Sequence, residues 1–168
     1  MRNQLVALSE RTSTLSADHV AAVSRLQLRP IVLGIETKEP SQSFSAAEVQ
    51  MGVWHTAQWA FLRRTISMLS GSTGEMLCDD ECEDQAEKAL SELAFIPGII
   101  VHGHRWFFVL STRGESKKML LWTEYEFGDT LSIRGIYQVV AELRVLTSWA
   151  ETTFMPWFQR TVLAHVKT

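Results

Sequence analysis

The sequence has few cysteines, no long apolar run and no concentrated positive charge. Its only two cysteines, Cys78 and Cys82, are too few for the disulfide framework of a small secreted protein. No apolar stretch approaches the roughly 18 residues that a membrane span needs. The N-terminal stretch MRNQLVALSERTSTLS also lacks the apolar segment of a signal peptide. These absences predict a cytoplasmic protein with no membrane partner.

Positive charge is scattered along the chain, and the formal net charge is −3. The only adjacent basic pairs are Arg63-Arg64 and Lys117-Lys118. A duplex-binding protein normally carries a basic stripe, because phosphate neutralisation dominates its affinity. We therefore do not expect a nucleic-acid partner. The 168 residues include 46% hydrophobic residues, six of them tryptophan, which is enough for one domain over residues 1–168 with a sizeable core.

Hydrophobic periodicity predicts helices and strands in a mixed order. A short helix is expected over 2–10, a strand over 30–38, a largely buried helix over 45–69 with Ser45 and Glu48 as its capping box, and an acidic helix over 79–93. The segments 97–111 and 117–127 are two strand candidates that should pair as a hairpin. A helix over 132–154, ended or kinked by Pro156, precedes a terminal helix over 157–166. This order predicts an α/β fold with a small central mixed sheet flanked by helices.

The first predicted strand, IVLGIETKEP, carries a carboxylate and an amine near its end. Side chains alternate along a strand, so Glu36 and Lys38 share a face that is otherwise apolar. Open α/β sheets tend to place their sites at the carboxyl ends of strands. Such a pair can bind a metal, move protons or stabilise an anion. The structural alternative is a simple ion pair at a strand end, because Glu-x-Lys is a frequent tripeptide.

Five segments carry a resemblance to a known family: RPIVLGIETKEP, AAEVQMGVWHTAQWAFLR, FIPGIIVHGHRWFFVLST, LLWTEYEFG and IRGIYQVVAELRVLTSWAETTFMPW. In this order, over roughly residues 28 to 160, they resemble the fungal PD-(D/E)xK nuclease-like domains. The resemblance implies a restriction-endonuclease-like core in which Glu36 and Lys38 form the Glu-x-Lys pair. It also implies that Gln50, on the following helix, lies near the site.

The sequence departs from this family upstream of Glu36. The family places an Asp on an earlier apolar strand, and no such strand precedes Glu36 here, so residues 1–27 are expected to be divergent and shortened. Asp18 is the candidate metal ligand if the protein is a nuclease, with Glu48 as another replacement. A single carboxylate beside an ammonium should bind Mg²⁺ poorly. We therefore expect no metal cofactor, with Mg²⁺ at Glu36 and Asp18 as the alternative.

Histidines and tryptophans complete the candidate site. His102 and His104 are predicted to share one strand face with Trp106, and their spacing suits a metal, but no third ligand is evident. An acid–base role for one histidine is expected instead, beside Glu36 if the two strands are neighbours. The residues expected to bind the substrate are Gln50, Trp54, Trp106 and Trp122.

Three functions remain open. We favour a reused nuclease fold that performs metal-independent acid–base chemistry on a small molecule. Members of the similar family occur in secondary-metabolite gene neighbourhoods, so the resemblance allows an accessory enzyme, for example one that closes a lactone or pyrone on a polyketide. Lys38 or a histidine would then activate an enol or hydroxyl, and Glu36 would relay the proton. The alternatives are a Mg²⁺-dependent DNA endonuclease and a non-catalytic interaction module; an exposed sheet edge would favour a homodimer.

Overall fold

The structure is a computed structural model that describes residues 1–11, 30–70, 79–114 and 118–166. Asp18 therefore lies outside the described residues. The helices and strands follow in the order α1 (Arg2–Arg11), β1 (Gly34–Lys38), α2 (Phe44–Ser70), α3 (Asp79–Ser91), β2 (Ile96–His102), β3 (Arg105–Arg113), β4 (Met119–Asp129), α4 (Ile133–Trp149), a π-helical segment (Ala150–Phe154), α5 (Met155–Thr161) and a 3₁₀ turn (Leu163–His165).

The four strands form one mixed sheet in the order β1-β2-β3-β4. β1 is parallel to β2, and its register places Lys38 beside His102 and Glu36 beside Ile100. β2, β3 and β4 pair in antiparallel fashion. The mixed sheet with flanking helices predicted from the sequence is confirmed.

The segment predicted as a single strand over 97–111 contains a hairpin turn, so that prediction is wrong. Gly103 adopts a φ of 62°, and His102 pairs with Arg105 across the two-residue turn. Glycine tolerates this left-handed conformation because it has no Cβ, and a Cβ here would also lie 2.7 Å from Pro40 Cγ. His102 and His104 consequently do not share a strand face.

The first half of α2 covers one face of the sheet, which we call the α2 face. Ala47 and Met51 are buried there in a core cluster with Ile100, Phe107 and Val109. Helix α2 was predicted to be largely buried, but Val49 and Val53 are exposed on its outer side. The predicted capping box is also wrong, because the helix begins at Phe44 and the Glu48 carboxylate accepts a hydrogen bond from Thr123 of β4.

Helix α4 covers the opposite face of the sheet, which we call the α4 face. Its buried residues Val139 and Leu146 pack with Ile99 and Phe127. Ser132 caps the helix by accepting a hydrogen bond from the Gly135 amide.

The carboxylate of Asp129 fixes the turn that leads into α4. Its Oδ1 accepts hydrogen bonds from the Leu131 and Ser132 amides, both at 2.8 Å. These bonds favour the ionised form and lower the pKa of Asp129.

The chain divides into two compact units, and the sheet belongs to the unit made of residues 32–56 and 94–153. The other unit, made of residues 1–31, 57–93 and 154–168, is helical where it is described. Its buried residues include Leu62, Leu90 and Trp157, and the Trp157 indole donates to the Ala89 carbonyl. The single domain expected from the sequence remains a prediction.

A change of helix type separates α4 from α5. Pro156 lacks a backbone N–H and its ring clashes with the carbonyl four residues earlier, so an ordinary α-helix cannot pass through it undisturbed. Residues Ala150–Phe154 form a π-helical segment just before this proline. Helix α4 thus ends at Trp149, ahead of the proline, and Pro156 itself lies in the first turn of α5. None of the helices in the described ranges is both long and apolar enough to cross a membrane.

Candidate functional site

Glu36, Lys38 and Gln50 form one polar cluster on the α2 face. The Lys38 ammonium lies 2.8 Å from Glu36 Oε1 and donates to Gln50 Oε1 at 3.1 Å. The Lys38 and Glu36 side chains are only 18% and 13% exposed. Strand alternation projects Glu36 and Lys38 from the same face, and the first turns of α2 bring Gln50 over them. We call these three residues the Glu36 cluster.

The Glu36 cluster holds an ammonium group in a defined position. An ammonium has three N–H donors, and two of them are taken by Glu36 and Gln50. Among the described residues, this leaves one N–H and the second oxygen of Glu36 for another molecule. Because the cluster is partly withdrawn from water, its charges act on a neighbouring group more strongly than they would in bulk solvent. Such a group can stabilise a developing oxyanion.

His102 lies directly beside Lys38 in the β1–β2 register. Its Nε2 is 2.8 Å from the Gln42 carbonyl oxygen, which can only accept a hydrogen bond. Nε2 therefore carries the proton, and the neutral ring has its lone pair on Nδ1. The edge of the ring contacts Phe44, with 5.9 Å between the ring centroids. The structure thus brings a carboxylate, an amine and an imidazole onto one end of the sheet, as expected if the strands are neighbours.

The turn between β2 and β3 holds this end of the sheet together. The Gly103 amide donates to the Lys38 carbonyl at 2.9 Å, which ties the hairpin to the end of β1. Gln42 and Phe44, which position His102, were missed by the sequence analysis. The available signal was their place in the segment directly after β1, where open α/β sheets build their sites.

His104 is not part of this arrangement. It occupies the exposed turn, and its Nδ1 lies 3.2 Å from Thr130 Oγ1, near the beginning of α4. The Thr130 amide also donates to the His104 carbonyl. The structure therefore separates the two histidines that the sequence analysis had placed on one strand face.

Of the four residues expected to bind the substrate, only Gln50 and Trp54 lie on the α2 face. Trp54 is half-buried one helical turn after Gln50, on the same side of α2. Trp106 packs against Phe127 on the α4 face. Trp122 is exposed in β4, and its indole donates to Thr112 Oγ1. Trp106 and Glu36 therefore lie on opposite faces of the sheet.

The described residues of the Glu36 cluster do not fit a hard divalent cation. Mg²⁺ sites in proteins use oxygen ligands in octahedral geometry, usually with more than one carboxylate or with phosphate oxygens. Here one carboxylate is available, and an ammonium is bonded to it. Glu48, the suggested replacement ligand, accepts a hydrogen bond from Thr123 on β4, the edge strand opposite β1. Three strand spacings, roughly 14 Å, separate β4 from the Glu36 strand. No group of three or more potential metal ligands occurs within the described ranges.

A second polar side chain, His55, is buried below the sheet on the α2 face. It is 1% exposed, and neither ring nitrogen has a hydrogen-bond partner in the described part of the chain. Burial lowers its pKa from 6.5 to about 4, so the ring is neutral at physiological pH. Its Nε2 approaches Gly98 so closely that a Cβ there would lie 2.8 Å away. His55 is therefore a buried polar residue of the α2 face.

The four-stranded mixed sheet flanked by helices, with Glu-x-Lys on its parallel edge strand, is an α/β fold of the restriction-endonuclease-like class. The chain belongs to the PD-(D/E)XK nuclease superfamily, which it matches over residues 1–155. Neither the curated proteins nor the solved structures contain a match to it.

Proposed function

We propose that the Glu36 cluster and His102 catalyse a metal-independent acid–base reaction on a small molecule, such as the closure of a polyketide to a lactone or pyrone. One observation carries this proposal: the Lys38 ammonium is held by Glu36 and Gln50 directly beside His102. A fixed cation next to a base suits a reaction in which an oxyanion develops while a proton leaves.

The chemistry follows from the atoms available. An enol or hydroxyl oxygen of the substrate attacks the carbonyl carbon of a thioester in the same molecule, and His102 Nδ1 takes its proton. The free N–H of Lys38 stabilises the negative charge on the carbonyl oxygen, while Glu36 and Gln50 keep the ammonium in place. When the C–S bond breaks, the departing thiolate recovers the proton from the imidazolium. The products are the cyclic ester and a free thiol.

The surroundings of His102 support a small, flat substrate. Phe44 lies against the His102 ring and against Phe107, with ring-centroid distances of 5.9 and 4.7 Å. An aromatic wall beside the base would orient a conjugated ring. The net charge of −3 and the scattered basic residues favour such a ligand over a nucleic-acid duplex.

A Mg²⁺-dependent DNA endonuclease is the second candidate, favoured by the superfamily match and by the Glu-x-Lys strand. In that case Glu36 would share the metal with a further carboxylate such as Asp18. The two candidates differ in cofactor and substrate and can be separated in one set of assays.

The first assay uses the purified chain and a diketo acyl thioester of N-acetylcysteamine, with ring closure followed by absorbance and by release of thiol. We expect catalysis that is unchanged by EDTA. Lys38→Met and His102→Gln should each reduce kcat/KM by about 100-fold, the usual scale for losing an oxyanion donor or a general base. The matched controls Lys88→Met and Glu39→Gln replace exposed residues outside the cluster and should retain full activity.

The second assay incubates supercoiled plasmid with the chain and Mg²⁺ or Mn²⁺. Metal-dependent nicking that disappears in Glu36→Gln would overturn the proposal in favour of the nuclease. Absence of both activities would also overturn it and would leave a non-catalytic interaction module.

A further inference from the structure

Helix α4 exposes an apolar surface on the side that faces away from the sheet. Ile133 is 76% exposed, Tyr137 73% and Val145 61%. We call this surface the α4 outer face, and its residues are Leu131, Ile133, Ile136, Tyr137, Val140 and Val145. Isolated exposed apolar residues are normal, but six large ones on and next to a single helix are not.

The helical spacing arranges these residues into two neighbouring rows. Ile133 and Tyr137 are four residues apart in one row, which continues through the small Ala141 to Val145, and Ile136 and Val140 follow the next row. The buried residues Val139 and Leu146 point to the opposite side, towards the sheet. Helix α4 is therefore apolar on two sides, although only one of them is covered. Rows of this kind are the ridges that pack into the grooves of a second helix.

The size of the α4 outer face matches what a stable protein dimer buries. From the exposed fractions, the six residues present about 700 Å², whereas each partner of a standard interface buries roughly 800 Å² and the largest apolar patch of a typical monomer is about 300–600 Å². Of the two sheet edges, the edge of β4 is less suitable for pairing. β4 carries two register irregularities and a positive φ at Glu124, which disrupt its free hydrogen-bonding edge.

We propose that the α4 outer face binds the same face of a second copy of this chain, with the two α4 helices antiparallel about a two-fold axis near Val140. This orientation follows from the charges. In a parallel pair, Arg134 of one chain would face Arg134 of the other, and Arg144 would face Arg144, so like charges would repel. In the antiparallel pair, a two-fold axis between Val140 and Ala141 places Arg144 of each copy opposite Tyr137 of the other. A guanidinium over an aromatic ring is attractive.

The test measures the oligomeric state of the full chain by sedimentation velocity over a range of concentrations. Wild-type protein is expected to sediment with twice the chain mass. Tyr137→Arg places two guanidinium groups against each other and should raise the dimer dissociation constant about 30-fold or more, the scale of an interface hot spot. Adding Arg144→Glu to this variant should restore the dimer, because the new pair has opposite charges.

The controls keep the outcome unambiguous. Val49→Arg changes another exposed valine, on α2, and should leave the dimer intact, and circular dichroism confirms that each variant folds. A monomeric wild-type chain at every concentration would overturn the proposal. So would a dimer that survives Tyr137→Arg, a charge reversal that fails to restore association, or a monomer that binds anionic lipid vesicles through the same face.

Discussion

The α2 face of the sheet contains two polar sites that differ in how they are paired and how far they are buried. In the Glu36 cluster, Glu36 and Lys38 retain slight contact with solvent, Gln50 is exposed, and each has a hydrogen-bond or ion-pair partner. His55, in contrast, is fully buried and has no partner among the described residues. A buried polar group without a partner costs stability, whereas a paired group at the surface costs little.

The Glu36 cluster is therefore arranged to react with a ligand, whereas His55 is not. The Glu36 cluster keeps opposite charges next to each other at an accessible edge, so a ligand can exchange contacts with them. The His55 ring lies close to Gly98, whose Cα also has Met51 and Val109 nearby, and the ring is neutral because burial lowers its pKa to about 4. The two sites should therefore respond differently to acid, to a small increase in packing and to salt.

Acid should produce the largest difference between the sites. The pKa of His55 is about 4 in the folded chain and 6.5 in its ordinary state, so only the unfolded chain takes up this proton as the pH falls from 6.5 to 4. The contribution of His55 to the free energy of unfolding is therefore fully present above pH 6.5. It is lost as the pH falls, and the loss reaches about 3 kcal/mol at pH 4. Urea unfolding of the wild type and of His55→Leu, measured from pH 7 to pH 4, isolates the contribution of His55.

His55→Leu is expected to unfold at the same or a higher urea concentration at pH 7, because an apolar side chain of similar volume replaces an unpaired ring. Its stability should depend less on pH than that of the wild type. Parallel pH profiles for the two proteins would show that His55 finds a partner or reaches solvent, and the contrast with the Glu36 cluster would then fail.

A Cβ at Gly98 should have the next largest effect. It would lie 2.8 Å from His55 Nε2, 2.9 Å from Met51 Sδ and 2.9 Å from Val109 Cγ2, so at least one neighbour must move. Overpacking of this kind costs about 2 kcal/mol, and Gly98→Ala should lower the free energy of unfolding by that amount.

The matched control is Gly52→Ala on α2, where the nearest atom to the new Cβ is Leu121 Cδ2 at 3.8 Å. This substitution meets only ordinary contact and removes a helix-interior glycine, so it should stabilise the chain by about 0.5–1 kcal/mol. Equal destabilisation by both substitutions would show that the space around His55 is no tighter than that beside the helix surface.

The sequence allowed some of this comparison to be predicted. Strand alternation was enough to place Glu36 and Lys38 on one face, because the rule depends only on neighbouring residues. The hairpin turn at Gly103 could not be predicted, because a single glycine among aromatic and β-branched residues is a weak turn signal. The bond from His102 to Gln42 uses a backbone carbonyl, which no side-chain pattern reveals. The burial of His55 depends on close packing against Gly98, a long-range contact that has no local signature.

The ion pair of the Glu36 cluster should show the smallest effect, on stability rather than on activity. The pair is mostly withdrawn from water, so the loss of hydration of both groups offsets much of their attraction. In a double-mutant cycle with Glu36→Gln and Lys38→Met, we expect an interaction energy of about 1 kcal/mol from urea unfolding. High salt should reduce this value, since screening weakens pairs that solvent reaches. An interaction energy of several kcal/mol that is insensitive to salt would mean that the pair is as secluded as His55, and a site so closed could not exchange contacts with a substrate.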